Sequence, residues 1–172
     1  MCYKSYYHYS SYISIMVYHM NEPTQTRYFL DDLAIGQRFV SGTYVLTEDK
    51  LIAFAAEYDP QPFHLDKEAA AATLFKGLAA SGWHTAAITM KLLNDGGAPL
   101  AGGIVGAGGQ IEWPRPTRPG DVLQVVSEVV QIIPSRSKPQ QGLVVVRSET
   151  MNQHEEVLQV LTAKLIVPRR AQ

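Results

Sequence analysis

From Arg27 onward the apolar positions of the chain fall into segments of two different periods, and the order of those segments predicts the fold. A packed lead-in, with Tyr28, Phe29, Leu30, Leu33 and Ile35, turns at Gly36. Residues 38–46 then alternate loosely through Phe39, Val40, Tyr44 and Val45, which predicts a strand with Gly42 as a β-bulge. Thr47 stands where a helix cap belongs: Glu48 and Asp49 follow it, and Leu51, Phe54, Ala55 and Tyr58 recur at helical spacing as far as Asp59. After a proline-bearing connector, Leu65 or Asp66 opens a short alanine-rich helix through Ala72, broken at Gly77. Ser81 is placed as the N-cap of the longest helix, over 82–94, which is apolar around most of its circumference and closes at Gly96 and Gly97. Such a helix is expected to be buried on most sides. Four strands follow, over 103–113, 122–133, 143–150 and 157–167, and the connection at 151–156 is short enough for a hairpin. Helices followed by consecutive strands predict an α+β architecture, an antiparallel sheet wrapped around a long central helix.

Composition narrows the function without naming it. The chain has 172 residues, 46% apolar and 18% charged, which suits a single domain with a sizeable core. A net charge of -1 gives no basic field, so neither nucleic acid nor a membrane surface is expected as a partner. The single cysteine, Cys2, excludes an internal disulfide and fits a reducing, cytoplasmic setting. Residues 1–19 hold six of the nine tyrosines and carry no signal-peptide pattern. Residues 1–26 are therefore set apart as a Tyr-rich extension, a disordered lead or a mis-assigned start with translation beginning at Met20, and 27–169 as the folded domain.

The candidate chemistry concentrates in Asp59-Pro60-Gln61-Pro62-Phe63-His64. Two prolines bias Asp59 and Gln61 out of the helical region, which predicts an extended, stiff connector. It holds a carboxylate and an imidazole close together, the pair that proton transfer to water or carbon requires. Other motifs carry less. Gly102, Gly103, Gly106, Gly108 and Gly109 form no phosphate-binding pattern; they read as a strand that lets the long helix, or a ligand, approach closely. Ser81 lacks the context of a nucleophile elbow. The five histidines include no metal-ligating spacing, so no metal is expected, and His84 reads as a satisfied buried group rather than a third catalytic residue. Arg115, Arg118, Arg136 and Lys138 lie in turns, either solvated or facing the phosphates of a large anionic substrate.

On these residues the chain resembles the MaoC-like dehydratase family, related to the (R)-specific enoyl-CoA hydratases, which have the hot dog fold. The family's D-x-N-P-x-H is matched by Asp59-Pro60-Gln61-Pro62-Phe63-His64, with Gln61 for Asn, and Ser81-Gly82-Trp83 stands where the family begins its central helix. Pro116-Thr117-Arg118-Pro119-Gly120-Asp121 is similar to the family's P-V-x-P-G-D turn. The resemblance implies an acyl-CoA hydratase or dehydratase. Asp59 and His64 would activate water, and the Gly82 N–H would receive the negative charge of the thioester oxygen. Gln61, Phe63, Ser81, Trp83 and Trp113 would line the substrate site. A CoA thioester would be the substrate, with no separate cofactor, and a homodimer or higher homo-oligomer the assembly. Met90 replaces a serine of the short-chain hydratases, and Trp83 with Trp113 would narrow the acyl tunnel unless they only pack the core. Two other readings stand beside this one. A hot dog thioesterase would want a carboxylate on the central helix, which 82–94 lacks; a non-catalytic acyl-thioester-binding subunit would have no use for Asp59 and His64.

Overall fold

The computed structural model describes residues 26–171, so the Tyr-rich lead and the start at Met20 lie outside the described residues. A single turn of 3₁₀ helix, Leu30–Asp32, precedes strand β1, Arg38–Val45. Helix α1, Glu48–Tyr58, begins where Thr47 accepts the Lys50 N–H and where Glu48 and Asp49 face the positive end of the helix dipole. It ends at Asp59, whose backbone (φ -153°, ψ 67°) is no longer helical ahead of Pro60.

Beyond Pro60 the structure corrects one expectation. The connector is extended only to Gln61, and Pro62 then starts a one-turn helix, α2, Pro62–Leu65. Proline suits a first helical position, because the N–H it lacks has no acceptor there and its φ is preset. His64 therefore rides on a helical turn. Asp66 caps the next helix, α3, Lys67–Ala71, by accepting the Ala69 N–H at 2.7 Å. The chain reverses at Lys76 and Gly77, both with positive φ, and enters α4, Gly82–Leu92, which runs on into a π-helical turn, Leu93–Gly97.

The remaining strands are β2, Val105–Glu112, β3, Val122–Pro134, β4, Gln141–Met151, and β5, Val157–Pro168. They join β1 in one antiparallel sheet of order β1-β3-β4-β5-β2, with bounds within about two residues of those expected from the sequence. The register slips between Val40 and Thr43, where Gly42 was expected to bulge, and again between Gly106 and Gly109. In the β4–β5 turn the Asn152 side chain accepts the His154 and Glu156 N–H groups.

Helix α4 lies against the face of the sheet at β1 and β3. Its inward side chains join Leu46, Leu51, Leu123 and Val125 in the main core, and each fully buried leucine there contributes about 1.5–3 kcal/mol. A second cluster, with Phe39, Leu100, Val129, Val144 and Val167, fills the other end. The expectation of burial on most sides is overturned. His84, Thr85, Ile88, Thr89 and Leu92 are buried, whereas Trp83 is 62% and Met90 43% exposed. Among the described residues the sheet reaches only one side of the helix, and the apolar stripe on the other side stays open.

Candidate active site

Asp59 leaves the end of α1, His64 sits on α2 and Ser81 caps α4, so three short-range signals bring three side chains to one point. The Ser81 hydroxyl donates to Asp59 Oδ2 at 2.6 Å and accepts the Trp83 N–H at 3.2 Å. Gln61 Nε2 donates to Asp59 Oδ1 at 2.7 Å. Both carboxylate oxygens are thus held by donors, and the Ser81 bond, followed by Gln61 and the nearby imidazole, keeps the Asp59 carboxyl below the usual carboxylate range against the opposing effect of burial. His64 is buried, and its Nδ1 lies 2.7 Å from the Ala79 carbonyl. A carbonyl can only accept, so the proton is on Nδ1 and Nε2 faces Asp59 Oδ2 at 3.4 Å. The ring is steadied by an edge contact with Phe63 at 4.5 Å.

These groups open onto a cleft of about 520 Å³ that is also lined by Phe63, Gly82, Trp83 and Trp113. Asp59, Gln61, Phe63, His64, Gly82, Trp83 and Trp113 thus come together at the cleft, whereas Ser81, expected to line the substrate site, is fully buried behind it and meets the carboxylate instead. The Gly82 N–H belongs to the first turn of α4, and no acceptor meets it among the described residues. Glycine at this position has a packing cause: a Cβ would lie 2.8 Å from the Trp113 ring. Trp83 packs on Trp113 edge to face at 5.6 Å.

Further expectations are corrected here. Arg118 is no free phosphate ligand: its guanidinium donates to the carbonyls of Phe75, Gly77 and Leu78, fixing the segment that leads into α4. Arg136 and Lys138 lie beyond the far end of β3, roughly 40 Å along the strand from the turn that lines the cleft. His84 is buried but not satisfied. Its Nδ1 has no hydrogen-bond partner among the described residues, the ring stacks on Phe54 at 4.3 Å, and burial, with Lys50 adding to it, lowers its pKa. The glycine-rich strand does not meet the long helix. Gly109 backs onto β5, with a Cβ position 2.7 Å from the Thr162 carbonyl oxygen, while Gly106 and Gly108 face open space. They border a second, apolar cleft of about 380 Å³ between β2, β5 and the Trp83–Met90 side of α4.

The sequence reading missed a buried polar chain behind the site. Trp113 Nε1–H donates to Gln159 Oε1 at 2.9 Å, Gln159 Nε2 donates to the Thr89 hydroxyl at 2.9 Å, and Thr89 lies 2.6 Å from the Thr150 hydroxyl. Thr85 meets Thr117 at 2.9 Å. A signal for it was present. Thr85 and Thr89 share one face of an apolar helix, and Gln159 has the same strand parity as Leu161, Ala163, Leu165 and Val167.

A helix against one face of a five-stranded antiparallel sheet defines a hot dog protein, here with an aspartate and a histidine side by side at the head of that helix. The model of the MaoC like domain matches residues 32–152, and the chain belongs to this family. The MaoC-like dehydratase from Rhodospirillum rubrum is 56% identical and superposes with a TM-score of 0.83, over 84% of this chain and 99% of that one. The R-hydratase PhaJ1 from Pseudomonas aeruginosa, in unliganded form, is 27% identical with a TM-score of 0.64, over 83% and 86% of the two chains. Protein YdeM of Bacillus subtilis (strain 168) is 35% identical over 129 residues, 73% of this chain and 89% of that protein.

Proposed function

We propose that the protein adds water to, or removes it from, the double bond of a 2-enoyl-CoA thioester, interconverting it with the 3-hydroxyacyl thioester. The observation that carries this reading is the Asp59–His64 pair, set at 3.4 Å with Asp59 held ionised by Ser81 and Gln61. A water held beside the pair, on the cleft side within reach of both Asp59 Oδ2 and His64 Nε2, gives its proton to Nε2, and the resulting imidazolium is stabilised by the carboxylate. The hydroxide oxygen bonds to the β-carbon as the π bond breaks. Charge moves to the thioester oxygen, where the Gly82 N–H and the start of α4 receive it. His64 then delivers the proton to the α-carbon, so one water is consumed and the site returns to its starting state.

Other features support the substrate class. Trp83 and Trp113 wall the cleft and favour a short acyl group. Arg115, whose own contact is a 3.3 Å bond to the Val157 carbonyl, stands at the rim as the cation for the CoA phosphates. The exposed Trp83–Met90 stripe and the position of β2 at the sheet edge suit a homodimer that covers both. The test is the loss of enoyl absorbance on hydration of crotonyl-CoA and branched 2-enoyl-CoA substrates. Asp59→Asn and His64→Ala are each expected to lower kcat about 10²–10⁴-fold. Absence of turnover on every thioester would refute the assignment and leave the non-catalytic binding reading in its place, and unchanged rates in both variants would refute the roles of Asp59 and His64.

A further inference from the structure

Gln159 is fully buried on the inner face of the sheet, yet it is a primary amide, and a buried amide is costly unless both of its ends are paired. Its surroundings leave it one arrangement. The Trp113 indole nitrogen can only donate, so it must face the Gln159 oxygen. On the other side, the Thr89 hydroxyl proton is given to the Thr85 carbonyl at 2.8 Å, so Thr89 must accept from Gln159 Nε2 and from Thr150. Donation thus runs from the indole at the rim of the cleft, through Gln159, to Thr89 and on to the Thr85 carbonyl in the core, with Thr150 donating to Thr89 from the other side.

The end of that chain is a wall. Trp113 is 40% exposed, so without a fixed acceptor its N–H would be satisfied by water in other orientations of the ring. Trp83 leans on it edge to face, and among the described residues Trp83 is the one side chain that borders both the catalytic cleft and the apolar cleft behind it. We propose that Gln159 is a positioning residue for acyl-chain selection: by locking Trp113, it fixes the Trp83–Trp113 wall between the two clefts and restricts the site to short 2-enoyl thioesters. The inference rests on the hydratase reading above. Gln159 touches no substrate in it; its effect passes through the indole.

The experiment compares kcat/KM for crotonyl-CoA, 2-hexenoyl-CoA and 2-octenoyl-CoA in the wild type, Gln159→Met, Gln159→Glu and Thr89→Val. Gln159→Met fills the same volume without the amide. It is expected to raise the octenoyl-to-crotonyl ratio on the order of tenfold, the scale of hydrophobic-pocket discrimination, and to change the tryptophan emission spectrum. Gln159→Glu, neutral when buried, offers a carbonyl oxygen to Trp113 and an O–H to Thr89, and should keep the wild-type ratio at neutral pH. Thr89 borders neither cleft, so Thr89→Val shifts the ratio only by releasing Gln159, and it decides the matter should Gln159→Met fail to fold. A wild type that hydrates crotonyl-CoA, with variants that lose rate equally on all three chain lengths, would overturn the role of Gln159 while leaving the activity standing. A wild type inactive on every thioester would overturn both.

Discussion

Ser81→Ala separates two duties of one hydroxyl. It removes the donor 2.6 Å from Asp59 Oδ2 and the acceptor for the Trp83 N–H. The second loss is that of an N-cap, about 1 kcal/mol, which for a chain of this size lowers Tm by roughly 2–4 °C. The first acts on the carboxylate. Ser81 is the largest cause of the low Asp59 pKa, so the variant's carboxyl should titrate closer to the ordinary carboxylate range. A charge-assisted hydrogen bond contributes about 1.5–3 kcal/mol, and where the loss is felt in the transition state this is at least about tenfold in rate. The assay is kcat/KM for crotonyl-CoA across the acid pH range, beside thermal melts. Because the reaction needs Asp59 ionised, the acid limb of the profile is expected to move to higher pH in Ser81→Ala and to return in Ser81→Thr. The stability linkage has the same sign. A depressed carboxyl pKa contributes stability that is present above the unfolded-state pKa and lost as pH falls through the folded-state pKa, so the variant should lose less stability on acidification. A lowered Tm with an unmoved acid limb would refute the reasoning and leave Ser81 as a helix cap only.

Three further predictions concern groups that the catalytic steps do not use. His84→Leu should flatten the fall of Tm below about pH 6.5: the folded imidazole binds fewer protons than the unfolded one, so acidification favours unfolding, and removing the group removes that slope. Melts between pH 5 and pH 8, run at about one-unit steps across the unperturbed histidine range, check it. Arg118→Met strips the donors from the Phe75, Gly77 and Leu78 carbonyls and should cost about 2–4 kcal/mol, with kcat/KM falling at every salt concentration alike. Arg115→Ala, by contrast, should raise KM for the CoA substrate and reduce its dependence on salt.

The sheet and most helix bounds were legible because β3, β4 and β5 are long runs rich in Val, Ile and Leu and Gly, Pro and Asn mark the turns between them. The one-turn helix at Pro62 was not, since proline reads equally as the end of one element and the first residue of the next. Nor was the open side of α4, because an apolar circumference says that a helix wants cover and not which side its own chain supplies. Asp59, His64 and Gly82 could be found because they stand close together in sequence or at a recognisable spacing. The polar chain joins residues from four separate segments, and only its shared inward parity marks it: Thr150 with Val144, Val146 and Ser148, and Gln159 with Leu161 and Leu165.

The two open glycines of β2 differ in what they would tolerate. Gly108, with φ +123°, holds a backbone conformation that side chains rarely adopt. Gly106 has no such strain, and a Cβ there would meet nothing within 4 Å. It also borders the apolar cleft. A single base change that replaces it with alanine can therefore add a methyl group at the edge of that cleft with no clash against the sheet or the helix. Selection, or an engineer, has at Gly106 a volume control for the cleft that is mechanically independent of the chemistry.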